Sequence, residues 1–390
     1  AYEILFGDWS SDVCSSDLAF FLGALFVLGL GFTLLQIAAN PYVAILGPSA
    51  SSSSRLNLSQ GFNSFGTTIA PIIGGYLIFH YFAQWGAPLL DKGGNPVLSD
   101  TGSQVSAASV QLPYLIFGVL FLLVAFVIKI TPLPRYVSAE KSSGKLGALR
   151  YRHLVLGMFA IFMYVGGEVS IGSMLIVYLR ELMDYPEMVS KSFLAFYWGG
   201  AMIGRFTGSV MLAGNLKLSS KILWMVVISL IGFLVIFTSI NLESSMSFKT
   251  VMPFLLLIAA NLAGFLLGRS LPHRTVMVFA LIVIGLLITT VVSGGLLALW
   301  TVIGIGLFNS IMWSNIFTLA IKDLGPDTSQ GSSLLIMAIL GGALMPLLQG
   351  KIADISGVQF SFVVPVICYL YIAFYGWKGY KPIKALSKPA

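Results

Sequence analysis

Long apolar runs recur along the chain, separated by short polar stretches, at about 19–46, 59–82, 112–131, 153–182, 190–214, 221–240, 251–268, 275–293, 296–321, 331–350 and 358–377. Each is long enough for a helix that crosses a bilayer, which takes about 20 residues. The pattern therefore predicts an all-α, polytopic membrane protein. Pro48 and the run Ser49 to Ser54 are read as the turn between the first two spans. Those two spans are not apolar all round. Gln36 and Asn40 are four apart, so on a helix they share a face. Gln60, Asn63 and Thr67 fall at i, i+3 and i+7, again on one face. Amides in hydrocarbon are costly unless they meet partners or a wet cavity. Two neighbouring amide stripes predict a shared polar cavity, and amides and hydroxyls without charge suit a neutral, hydroxyl-rich solute such as a sugar.

The later spans repeat the theme. Tyr164 and Glu168 are i, i+4, and Glu168 is the one acidic residue well inside any span. An acid at that depth is a functional-site hypothesis in its own right. Asn309 and Trp313 share a face of the 296–321 run. The sequence thus places Gln36, Asn40, Gln60, Asn63, Tyr164, Glu168, Asn309 and Trp313 around one central solute site.

Composition agrees: 57% of residues are apolar and 9% charged. The net charge of +7 does not imply a nucleic-acid partner, because the basic residues are sorted by loop. The 132–152 stretch carries Arg135, Lys141, Lys145, Arg150 and Arg152 against Glu140, and the tail 378–390 adds four lysines. That bias puts the linker and the C-terminus in the cytoplasm. Cys14 and Cys368 lie far apart and imply neither disulfide nor zinc site. His80, His153 and His273 sit at span ends as interfacial residues. With no GxxxxGK and no GxSxG, the chain reads as neither enzyme nor cofactor binder, and no metal site is expected.

The string LQIAANPYVAILGP, followed by RLNLSQGFNSFGTTIAPIIGG, resembles helices 4 and 5 of the fucose–galactose–glucose:proton symporter family, a branch of the major facilitator superfamily. The resemblance runs from about Ala19 to the end with one gap. It implies a fold of two helical bundles and proton-driven hexose transport by a monomer in a bacterial cytoplasmic membrane. Fucose-type members tend to carry Glu at the position of Gln36 and Gln at that of Glu168. This chain therefore resembles the glucose/galactose-type branch, with Glu168 as the proton-linked acid. A facilitator of fucose or another neutral polyol is the alternative, and a non-transporting sensor or scaffold a further one. GRFTG, with Arg205, resembles a degenerate form of the superfamily's loop motif and implies a gating role for that arginine.

Usual members pass from GRFTG almost directly to a stretch like RTVMVFALIVIGLLITT, so 216–273 reads as an inserted helix pair in the C-terminal bundle, 153–377. At the other end, GDWSSDVCSSDL within 1–18 resembles translated adaptor sequence, and the resemblance implies that 19–131 is a partial first bundle, helices 4 to 6, with the family's first three helices expected to be missing before it. The eleven spans would then be fourteen with three restored. The 390-residue chain alone is expected to be unstable and inactive. An internal repeat supports two related halves. Asn40, Leu46-Gly47-Pro48, Ser59-Gln60-Gly61 and Pro71 recur in order as Asn315, Leu324-Gly325-Pro326, Ser329-Gln330-Gly331 and Pro346.

Overall fold

The computed structural model describes residues 15–77, 81–82, 95–96, 108–134, 146–214, 216–242 and 245–382. The adaptor-like segment up to Cys14, His80, most of the 83–111 loop, the linker residues Arg135, Glu140, Lys141 and Lys145, and the tail from 383 lie outside them.

The described chain is helical throughout its spans. The first bundle has α1 (Ser15–Ile45), α2 (Ser52–Tyr76) and α3 (Ala108–Ile130). The second has α4 (Arg152–Met183), α5 (Glu187–Met211), α6 (Leu218–Asn241), α7 (Phe248–Gly268), α8 (Pro272–Val292), α9 (Gly295–Asn309), α10 (Met312–Ala320), α11 (Thr328–Met337), α12 (Gly341–Ser356), α13 (Val358–Ser361) and α14 (Val363–Phe374). Nine spans among the described residues are long and apolar enough to cross a membrane. The shorter helices are pieces of single spans, and α2 and α5 complete the eleven.

Two expectations are corrected. The serine run is not all turn: Ser49–Ser51 is a 3-10 turn, and Ser52 already begins α2. Arg55 explains this, because its guanidinium reaches back to the carbonyls of Val43, Ala44 and Pro48 at 2.6–3.1 Å and ties α2 to the end of α1. That uses acceptors which a helix end leaves unpaired. Second, the 296–321 run is not one helix. It breaks at Ser310 and Ile311 into α9 and α10. The 331–350 run is likewise interrupted, by a 3-10 turn at Ala338–Leu340, and the last span opens into a π turn at Tyr375–Gly379.

Close helix approach organises the second bundle. A side chain at Gly306 of α9 would stand 2.0 Å from the Tyr197 carbonyl oxygen of α5, and one at Gly341 would stand 1.9 Å from the Phe162 carbonyl oxygen of α4. Small residues admit such backbone contact, and most of the Gly295–Ala320 span is buried. By contrast α1 and α3 touch through an edge-on Phe32–Phe121 pair at 6.3 Å and leave Phe20, Phe26 and Leu122 exposed. An apolar surface of that kind is solvated by hydrocarbon.

The two turns of the sequence repeat are built alike in outline. Asn40 and Asn315 are both buried ahead of their Leu-Gly-Pro turns, and a new helix follows each. The second turn is clasped from the linker end. Arg150 pairs with the buried Asp327 at 3.2 Å, and Ala148 N–H donates to Gln330 at 2.7 Å. The Tyr151 hydroxyl and then the Asp327 charge hold the Arg150 guanidinium above its ordinary pKa.

A paired substitution tests the α5–α9 contact. Gly306→Ala should destabilise the protein by about 1–3 kcal/mol through overpacking. Gly285→Ala, whose added carbon meets nothing within 4 Å, should be neutral or slightly stabilising. Thermal unfolding in detergent reads both, and equal melting temperatures for the two variants would contradict this packing.

Candidate functional site

The acid singled out by the sequence sits in a hydrogen-bonded cluster made by α4, α5, α9 and α14. On α4 the i, i+4 spacing acts as expected, and the Tyr164 hydroxyl donates to Glu168 Oε1 at 2.6 Å. From α5, the Tyr197 hydroxyl donates to the Glu168 main-chain carbonyl at 2.9 Å. Asn309, the last residue of α9, donates from Nδ2 to the Tyr197 hydroxyl at 2.9 Å. The Tyr369 hydroxyl of α14 donates to Asn309 Oδ1. All five residues are buried. Groups in such a chain polarise one another, and each fixes its neighbour's orientation.

Arg205 of α5 supplies the positive charge. Its Nη2 lies 3.7 Å from Glu168 Oε1, and both side chains are almost enclosed, at 13% and 10% exposure. Its Nε donates to the Ser310 carbonyl at 3.1 Å, and its Nη1 donates to the Ser64 hydroxyl of α2. One guanidinium therefore joins the acid on α4, the break after α9 and the first bundle. Arg205 lies six positions before the end of α5 and turns inward, to these partners. Its acceptor Ser310 is the C-terminal cap of α9.

In the first bundle, Gln60 Nε2 donates to Asn40 Oδ1 at 3.3 Å, and Asn63 Nδ2 donates to Gln60 Oε1 at 3.4 Å. Asn40 is buried, Gln60 half-buried and Asn63 exposed. Gln36 is exposed and has no hydrogen-bond partner among the described residues. Trp313 is buried on α10 and stacks on Phe317 at 5.1 Å. The structure thus gathers Tyr164, Glu168, Arg205 and Asn309 into one cluster and Asn40, Gln60 and Asn63 into another. Ser64, which follows Asn63 in sequence, ties α2 to the first cluster through Arg205. Tyr197, Tyr369 and Ser64 were not singled out in the sequence. A tyrosine in an apolar run carries no more signal than an interfacial aromatic.

The bundles also meet along a seam of neutral groups. Asn57 Nδ2 donates to Asn315 Oδ1 at 3.0 Å, the Ser53 and Thr318 hydroxyls pair at 2.7 Å, and Ser54 donates to the Ser209 carbonyl at 2.6 Å. Ser332 adds a bond to the Ile37 carbonyl of α1 at 3.2 Å. The seam lies at the end of the molecule that holds the Ser49–Ser51 and Gly325–Asp327 turns. Among the described residues no group of three His, Cys, Asp or Glu is placed to hold a metal ion. The arrangement offers hydroxyl, amide and aromatic surface with one charge-balanced acid, a set suited to a neutral polar solute and a proton.

No family model matches the chain. It is 39% identical over 368 residues to the glucose/galactose transporter of Brucella abortus biovar 1 (strain 9-941), an alignment covering 93% of this chain and 72% of the relative. It is 32% identical over 365 residues to the L-fucose-proton symporter of Escherichia coli (strain K12), covering 90% of this chain and 70% of that one. Its structure is similar to the crystal structure of a major facilitator superfamily transporter, FucP, in the outward conformation. The TM-score is 0.69 at 28% identity, over 93% of this chain and 77% of that one.

The Arg205–Glu168 contact can be weighed by a double-mutant cycle. Arg205→Met and Glu168→Gln each strand one buried charge, which typically costs about 3–5 kcal/mol. The double variant should lose less stability than the two losses added together, measured by thermal unfolding in detergent. Strict additivity would show that the two side chains do not interact.

Proposed function

We propose that this chain, which belongs to the major facilitator family of glucose/galactose transporters and L-fucose-proton symporters, moves a hexose of the glucose/galactose type together with a proton. It is a multi-pass membrane protein and a transporter, not an enzyme. The observation that carries the mechanism is the sharing of Arg205 between Glu168 and Ser64. When Glu168 is charged, the guanidinium is balanced within the second bundle. When Glu168 takes a proton, Arg205 loses its counter-charge and depends on neutral acceptors, one of which belongs to the other bundle. Proton load and bundle contact then draw on one group, which is what coupling requires.

The sugar contacts in this reading are the amides of α1 and α2 on one side, Gln36, Asn40, Gln60 and Asn63. On the other side they are Tyr164, Glu168, Asn309 and Trp313. Gln36 and Asn63 support it by standing exposed, so their amides are open to a ligand. The balance of Gln36 and Glu168 favours glucose or galactose over fucose. The reading also places the protein, as a monomer, in a bacterial inner membrane. The turns bearing Arg55, Arg150 and Lys378 then face the cytoplasm by the positive-inside rule. The closed seam would lie on that side, so the site would open outward.

Proteoliposomes holding a full-length parent that contains this chain provide the test. Wild type should accumulate labelled glucose or galactose under an inward proton gradient, and unlabelled hexose should compete better than fucose. Uptake that ignores the proton gradient would remove the symport reading. Glu168→Gln should abolish gradient-driven accumulation while leaving counterflow exchange. Asn63→Ala should weaken sugar binding by about 1–3 kcal/mol, the usual cost of unpaired hydroxyl partners, as measured by calorimetry in detergent.

A further inference from the structure

The helix pair α6 and α7 lies behind the site rather than in it, yet it carries a polar residue aimed at the site's weakest point. Through its apolar stretch, from Val251 to Gly268, α7 has one amide, Asn261. An isolated amide at that depth is expensive without a partner. Asn261 is 1% exposed, and its Nδ2 donates to the Leu307 carbonyl at 3.0 Å. Leu307 is not an arbitrary acceptor. It stands one turn before the break between α9 and α10, where the main-chain ladder is interrupted at Ser310 and Ile311. Its carbonyl also accepts the Ser310 hydroxyl at 2.7 Å. The break is what ends α9 at Asn309, which bridges Tyr197 and Tyr369, and what points the Ser310 carbonyl at Arg205.

The pair is fitted closely enough to fix that donor in place. A side chain at Gly304 of α9 would meet Leu257 of α7 at 2.9 Å, and one at Gly264 of α7 would meet Phe279 of α8 at 2.9 Å. Phe254 of α7 packs edge-on against Phe196 of α5 at 5.1 Å. The buried Lys221 at the start of α6 donates to the Met211 carbonyl at 2.8 Å and to Ser270 at 3.2 Å, closing the pair at its other end. Hydrocarbon behind α9 offers no donor to a freed carbonyl. Here a helix with a single amide takes that place.

We infer that Asn261 is a positioning residue for transport: from outside the site, it holds the α9–α10 break in the form that presents Asn309 and the Ser310 carbonyl. This rests on the sugar-site reading above. The test uses the same full-length parent, purified, with galactose as probe. Asn261→Leu, similar in volume but without a donor, should weaken galactose binding about tenfold in the wild-type background. It should add little in an Asn309→Ala background, because the two act through one element. Backbone amide exchange over 308–314 should accelerate in Asn261→Leu. Lys221→Met, which cuts the other anchor of the pair, should lower the melting temperature without changing galactose affinity or that exchange.

Equal losses of affinity in both backgrounds would overturn the inference. So would a fall in melting temperature with 308–314 exchange unchanged. If wild type binds neither glucose nor galactose, the function reading fails, and exchange alone decides the role of Asn261. The same holds if Asn309→Ala abolishes binding outright. Acceleration confined to 308–314 then keeps the inference, and its absence removes it.

Discussion

A guanidinium inside a bilayer must be fully engaged, and the rest of the structure follows from how Arg205 meets that demand. Three helices converge on it: α4 with Glu168, the end of α9 with the Ser310 carbonyl, and α2 with Ser64. Removing any one leaves a buried charge short of a partner, a far larger penalty than a surface ion pair carries. The second bundle therefore cannot be read as a scaffold with a site added. Its helix break, its tyrosines and its contact with the first bundle are arranged around one cation.

The close approaches serve the same end. Arg205 reaches Ser310 because α5 and α9 touch backbone to backbone at Gly306 and Tyr197. A side chain there would push the helices apart and lengthen the Arg205–Ser310 and Asn309–Tyr197 bonds together. The glycines of α5 and α9 are thus part of the geometry of the polar cluster, although none carries a polar side chain. In the same way Arg55, by gripping the end of α1, sets the direction in which α2 presents Ser53, Asn57 and Ser64.

Much of this was legible in the sequence, for identifiable reasons. Eleven apolar runs gave the spans, because hydrocarbon length is a strict ruler. Glu168 stood out because an acid in such a run is rare, and Tyr164 because helical spacing puts it one turn away. The break at Ser310 and Ile311 was not legible. No proline marks it, and the local string LFNSIMWSN reads as helix throughout. Its causes lie elsewhere in the chain, in Arg205 and Asn261, which take up the carbonyls it releases. Arg205 stood out as a charge in an apolar run, but its partners Glu168, Ser310 and Ser64 lie on other elements, far off in sequence, and were invisible there. Tyr197 and Tyr369 were missed for a similar reason: each is meaningful only beside Asn309. Gln36 shows the limit of periodicity, because a face shared with Asn40 does not mean a shared environment.

The seam between the bundles has a chemical consequence of its own. Its ties at Asn57–Asn315, Ser53–Thr318 and Ser54–Ser209 are all uncharged. Neutral bonds of this sort are worth about 0.5–1.5 kcal/mol each, net of their exchange with water, so a few of them hold a door that thermal motion can still open. They are also blind to the medium. Dissolved ions screen charges and leave amide–hydroxyl bonds alone, and none of these groups titrates near neutrality. The latch thus works alike in dilute and brackish surroundings. In the proposed mechanism acidity acts instead through Glu168 and Arg205 deeper in, and reaches the bundle contact by the Arg205–Ser64 tie rather than through these neutral bonds.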